Sequence, residues 1–76
     1  MVRSFIMVKA ATGDAAGLSE RLAGFDHVSV ASVVAGDFDV IVEAESTEVY
    51  DIINSVATRV RELDDVADTK TYVCLE

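Results

Sequence analysis

Gly36-Asp37-Phe38-Asp39 links two runs of strand-forming residues, 28–34 (Val-Ser-Val-Ala-Ser-Val-Val) and 38–44 (Phe-Asp-Val-Ile-Val-Glu-Ala). Glycine followed by aspartate suits the positive-φ corner of a tight hairpin, so the two runs are expected to pair antiparallel about Gly36-Asp37. In the second run Phe38, Val40, Val42 and Ala44 fall on one face and Asp39, Ile41 and Glu43 on the other, the period-two alternation of a strand with one buried face. The turn alone does not call for an aromatic residue and a second acid, Asp39, at the mouth of an apolar strand.

Before the hairpin, residues 2–10 (Val-Arg-Ser-Phe-Ile-Met-Val-Lys-Ala) read as a strand. Asp14 is placed to cap a helix in which Leu18, Leu22 and Phe25 form one apolar stripe, and Gly24 closes it. After the hairpin, Ser46 or Thr47 opens a longer helix with Val49, Ile52, Ile53, Val56, Val60 and Leu63 at helical spacing. Arg59 and Arg61 stand near its end, where the helix dipole favours cations. Leu63-Asp64-Asp65-Val66 is a turn, and residues 67–75 form a last strand. The order βαββαβ implies an α+β, ferredoxin-like fold, a four-stranded antiparallel sheet with both helices on one face. The first strand sends Phe5 and Met7 to one face and Ile6 and Val8 to the other, so the bare face is expected to meet a second copy in a homodimer.

The chain of 76 residues is read as one domain, and a domain this short buries only about 60% of its unfolded surface. Fourteen acidic residues against six basic ones give a net charge of −8, which repels a phosphate backbone and excludes direct nucleic-acid binding. The same excess suits a cytoplasm of molar salt, where screening over roughly 3 Å relieves self-repulsion; a halophilic source and an ordinary acidic protein both fit. No apolar run approaches the roughly 20 residues of a membrane helix, and no leader is evident, so a cytoplasmic, membrane-independent chain is expected. Cys74 is the only cysteine, so no internal disulfide forms.

His27 and Cys74 are the only imidazole and thiol, at the start of one strand and near the end of another, and no third group orients them; catalysis is not expected. The acidic pairs Glu43 with Glu45 and Asp64 with Asp65 read as solvated edges and turns, so neither a metal nor a cofactor is expected. The stretch 13–17 lacks the Lys-Ser/Thr of a phosphate loop. Gly36 to Asp39 can be a plain hairpin with Asp39 on a solvated edge. It can also form a pocket in which Asp39 balances an ammonium group and the backbone N–H groups near Gly36 and Asp37 take a carboxylate. An amino acid presents both charges. Asp68, Thr69 and Thr71 offer further polar contacts, although alternating threonines are also usual in strands. Phe38 fits equally a staple beneath the turn or a pocket wall.

Gly36-x-Phe38-Asp39 before an apolar strand, and the closing Val66-x-x-Thr69-x-Thr71-Tyr72-Val73, resemble the ligand-binding domain of the Lrp/AsnC amino-acid-responsive transcription regulators, the RAM or ACT-like domain. The resemblance spans nearly the whole chain. It implies dimers formed by sheet packing, further assembly into octamers, and an amino-acid effector bound between dimers near Gly36 and Asp39. The family's DNA-binding helix-turn-helix has no counterpart in these residues. The chain therefore resembles members that carry only the sensing domain, with a DNA-binding relative as the expected partner. Two rivals share the strand order: a small dimeric α+β barrel enzyme of monooxygenase or isomerase type, and a purely structural oligomerisation domain.

Overall fold

The computed structural model describes residues 1–75. Four strands, β1 (Val2–Ala10), β2 (Val28–Val33), β3 (Val40–Ser46) and β4 (Val66–Val73), form one antiparallel sheet in the order β2-β3-β1-β4. Helix α1 (Ala15–Ala23) links β1 to β2. The second helix, α2, links β3 to β4 and is continuous through an α-helical turn Val49–Asp51, a π-helical stretch Ile52–Ala57 and a final α-helical segment Thr58–Arg61. The ferredoxin-like βαββαβ arrangement expected from the residue pattern is the observed one.

The two-residue period of the central strands builds the core. Ile6 and Val8 of β1 and Val40, Val42 and Ala44 of β3 are buried beneath Leu18 and Leu22 of α1 and Ile52, Val56 and Val60 of α2. Each fully buried aliphatic side chain contributes about 1.5–3 kcal/mol. Asp14 caps α1 as its position implies, its Oδ1 accepting from the Gly17 amide at 3.0 Å. Arg21 of α1 pairs with Asp65, and the Asp65 carbonyl accepts from the Ala11 amide at 2.8 Å, so the turn before β4 is tied to both α1 and the end of β1. That turn is closed by the Val66 amide on the Leu63 carbonyl at 3.1 Å.

Three local expectations are corrected. Gly36-Asp37 is not a positive-φ hairpin corner, for no glycine has positive φ. Residues 34–39 instead form a wider loop, closed by the Val34 amide on the Asp39 carbonyl at 2.9 Å, and β3 begins only at Val40. A loop of this length reverses the chain with ordinary φ values, so the left-handed requirement of a two-residue turn disappears. The positive φ, 70°, falls on exposed His27 before β2, where the Glu45 amide donates to the His27 carbonyl at 2.9 Å.

The second correction concerns Ser46, which ends β3 rather than opening the helix. Its buried hydroxyl donates to Asp51 Oδ2 at 2.7 Å and accepts from the Glu48 amide at 3.3 Å, so it acts as a cap from outside the helix. The third is the helix register. Of the expected apolar stripe, Ile52, Val56 and Val60 are fully buried as expected, whereas Val49 and Ile53 are 47% and 43% exposed. The π-helical stretch inserts extra rotation, marked by the Thr58 amide and the Thr58 hydroxyl both directed at the Ile53 carbonyl. Upstream residues are thereby turned away from the sheet.

Candidate functional site

The end of β1 anchors the loop that carries Gly36 to Asp39. The Asp39 amide donates to the Val8 carbonyl at 2.9 Å, and Asp39 Oδ2 accepts from the Ala10 amide at 2.8 Å. The carboxylate thus continues the β1–β3 ladder past the point where backbone pairing ends. Lys9 Nζ donates to the Asp37 carbonyl at 3.2 Å, and the Lys70 ammonium stands 5.9 Å from the centre of the Phe38 ring. Phe38 is half-buried beneath that cation. Gly36 lies in open space, since a Cβ built there would meet nothing within 4 Å.

Strand alternation divides the remaining candidates between the two sides of the sheet. Asp68 is opposite Lys9 and Lys70 opposite Met7, on the face without helices. Thr69 is opposite buried Val8 and Thr71 opposite buried Ile6, on the helix-packed face. The seven nominated residues therefore fall into a loop cluster (Gly36, Asp37, Phe38, Asp39) beside Lys9 and Lys70, and a β4 set. Asp68 and Thr69 line a cleft of about 330 Å³ together with Arg61, Val66 and Ala67. The cleft lies where α2 ends and β4 begins, and an irregularity in the β1–β4 register at Lys9/Ala10 falls beside it. Arg61 was not among the residues the sequence pattern nominated. Among the described residues no group of three His, Cys, Asp or Glu side chains is placed to hold a metal ion. No helix of the described residues is long and apolar enough to cross a membrane.

The open face of the sheet carries its own pattern. One cross-strand row reads Val30–Glu43–Phe5–Tyr72 and the next Ser32–Ile41–Met7–Lys70. Tyr72 is 57% exposed and Val30 44%, while Phe5, Met7 and Ile41 are half-buried. Arg3 bridges this surface, 3.9 Å from Glu43 Oε1 and 5.7 Å from the Phe5 ring centre. The result is an apolar band with charges of both signs at its margin.

A ferredoxin-like sheet with one apolar face uncovered, a closed loop at the β1 exit and a polar cleft beside edge strand β4 define a ligand-binding module. Residues 3–76 match the model of the Lrp/AsnC ligand binding domain, and the chain belongs to that family. Membership carries a regulatory, ligand-binding role. A hypothetical protein, PHS023, from Pyrococcus horikoshii is similar at 28% identity over all of this chain and 92% of that one, with a TM-score of 0.89. FFRP-DM1 is similar at 28% identity over 99% of this chain and 100% of that one, with a TM-score of 0.88. E. coli AsnC shares the fold at 19% identity and a TM-score of 0.77; the match covers 99% of this chain but 51% of that one. No curated protein matches significantly.

Proposed function

We propose that this protein is a non-catalytic amino-acid-binding module, a single domain that pairs through its open sheet face and regulates through a DNA-binding relative. The observation that carries the ligand reading is Gly36. Glycine is favoured where φ is positive, where a neighbour crowds Cβ, or where another molecule approaches the backbone. Neither of the first two holds within the protomer, because φ is not positive and the Cβ position is open. That leaves approach from outside, on a loop whose neighbouring carboxylate, Asp39, has committed one oxygen to Ala10 and keeps the other for a ligand ammonium. Asp68, Thr69 and Thr71 supply the opposite wall. The loop cluster and the two threonines lie on different sides of the sheet, which favours a site completed by a second protomer.

Pairing is supported by the apolar band of Phe5, Met7, Ile41, Val30 and Tyr72, since a solvated sheet face alternates with polar residues. A two-fold axis through the band would use one patch twice. Higher assembly, an octamer included, would follow from contacts between dimers.

Light scattering coupled to size exclusion and a thermal-shift screen against the common amino acids test both parts. Met7→Glu puts a charge in the centre of the band and is expected to yield monomer, while wild type runs as a dimer or a multiple of it. A wild-type monomer would refute the pairing. A ligand at about 100 times its Kd adds roughly 2.7 kcal/mol, so a selective rise of several degrees is expected for one or a few amino acids. A folded, oligomeric sample indifferent to all of them would favour a structural module.

A further inference from the structure

Of the six basic side chains, five are engaged within the protomer. Arg3 faces Glu43 and the Phe5 ring, Lys9 donates to the Asp37 carbonyl, and Arg21 pairs with Asp65. Arg59 stands 5.0 Å from the Phe25 ring centre, and Lys70 covers Phe38. Arg61 alone has no ion pair, hydrogen bond or aromatic partner among the described residues. In a chain with 14 carboxylates to choose from, the one guanidinium with none of these partners among the described residues also lines the cleft with Asp68 and Thr69.

We propose that Arg61 is the carboxylate-binding residue of the effector site, holding the ligand's α-carboxylate in the cleft between the end of α2 and the start of β4. The assignment rests on the amino-acid reading above and deepens it by giving the anionic end of the ligand a specific cation. Three points carry it. A net charge of −8 repels a free carboxylate, so an anion is retained only where a cation is locally unspent. A guanidinium presents a fork of N–H donors that matches both oxygens of a carboxylate. The rest of the cleft is complementary: the Thr69 hydroxyl adds a donor, and Asp68 on the neighbouring wall suits the ammonium. β4 is an edge strand, so unpaired backbone groups border the cleft as well.

The test uses the full chain, wild type and Arg61→Gln, by calorimetric titration with each amino acid that shifts wild type, with its α-carboxamide, and with a second variant, Arg61→Lys. Arg61 is exposed, so both variants are expected to fold and to keep the wild-type melting temperature without ligand. Wild type should prefer the acid over the amide by at least about tenfold, a step of about 1.4 kcal/mol. Arg61→Gln should weaken the acid by at least that factor and leave the amide within about twofold, erasing the preference; Arg61→Lys should keep part of it. An undiminished acid-over-amide preference in Arg61→Gln overturns the assignment while leaving the amino-acid reading intact. A change of oligomeric state in Arg61→Gln with ligand affinity unchanged overturns it too, placing Arg61 in a subunit contact. A wild-type protein that binds no amino acid overturns the functional reading itself.

Discussion

Replacing Asp39 by alanine removes the acceptor that holds the Ala10 amide at 2.8 Å. The bond is partly buried, joins strands far apart in sequence, and has an ionised acceptor. Hydrogen bonds to charged groups contribute about 1.5–3 kcal/mol, against about 0.5–1.5 for neutral pairs. Asp39→Ala is therefore expected to cost about 2 kcal/mol, and Asp39→Asn, whose amide oxygen can still accept from Ala10, about 1 kcal/mol or less. In a domain of this size 1 kcal/mol moves Tm by about 4–8 °C, so the alanine variant should melt about 8–16 °C lower. Ligand binding cannot be read from Asp39→Ala alone, because the same substitution loosens the fold; Asp39→Asn is the cleaner probe, keeping the loop closed while removing the charge proposed to pair with an ammonium.

Urea denaturation at one protein concentration and one salt concentration measures the cost, since self-association makes apparent stability concentration-dependent. The dependence on urea should keep its slope while the midpoint falls. Amide exchange supplies the local readout: protection at Ala10 should drop in Asp39→Ala beyond the global loss and survive in Asp39→Asn. Two results would refute the reasoning. One is an alanine variant within about 0.5 kcal/mol of wild type, the range of an ordinary surface substitution. The other is an asparagine variant as unstable as the alanine one, which would show that charge, rather than acceptance at Ala10, holds the loop.

The π-helical register of α2 predicts unequal costs for adjacent isoleucines. Ile52→Ala should lose about 2–5 kcal/mol, whereas Ile53→Ala, with its side chain 43% exposed, should lose under about 1 kcal/mol; equal losses in denaturation would restore a regular α-helix there. At His27, held at φ 70°, glycine should raise stability by about 0.5–1 kcal/mol and valine should lower it by more than about 1 kcal/mol, because left-handed backbone costs L-residues roughly that much. A valine variant that melts with wild type would place His27 outside the left-handed region.

What could be read from the residues alone was whatever depended on near neighbours. The bounds of β1 follow from its alternating pattern, and the Asp14 cap follows from one side chain reaching an amide three residues on. The face assignments of β3 hold for the same reason. The turn at Gly36 misled because glycine permits positive φ without requiring it; loop length decided the geometry, and that length was set by where the β3 ladder with β1 begins. The register of α2 was hidden for a related reason. The expected stripe of Val49, Ile52, Ile53, Val56, Val60 and Leu63 is fully buried at Ile52, Val56 and Val60 but not at Val49 and Ile53, where the Ser46–Asp51 hydrogen bond and the seating of Ile52 on the sheet fix one end in a different rotation. An inserted π turn reconciles the two ends, and no local pattern announces it.

The proposed site has a loop that the sequence nominates and a cation that it does not. Arg61 differs from Arg59 and Arg21 in nothing that spacing along a helix can express. It becomes distinctive only after the fold has placed Asp65 beside Arg21 and Phe25 beside Arg59. The closing segment shows the complementary effect, since Asp68, Thr69 and Thr71 read as one motif along the chain while the pleat sends Asp68 to one face and both threonines to the other. Asp68 and Thr69 still meet at the cleft beside the edge strand, whereas Asp39 lies on the far side of β1 from it. The proposed site takes its loop and cleft contacts from two protomers, which would link binding to assembly: a ligand in the cleft is then expected to favour the oligomer, and dispersal of the oligomer to weaken the cleft.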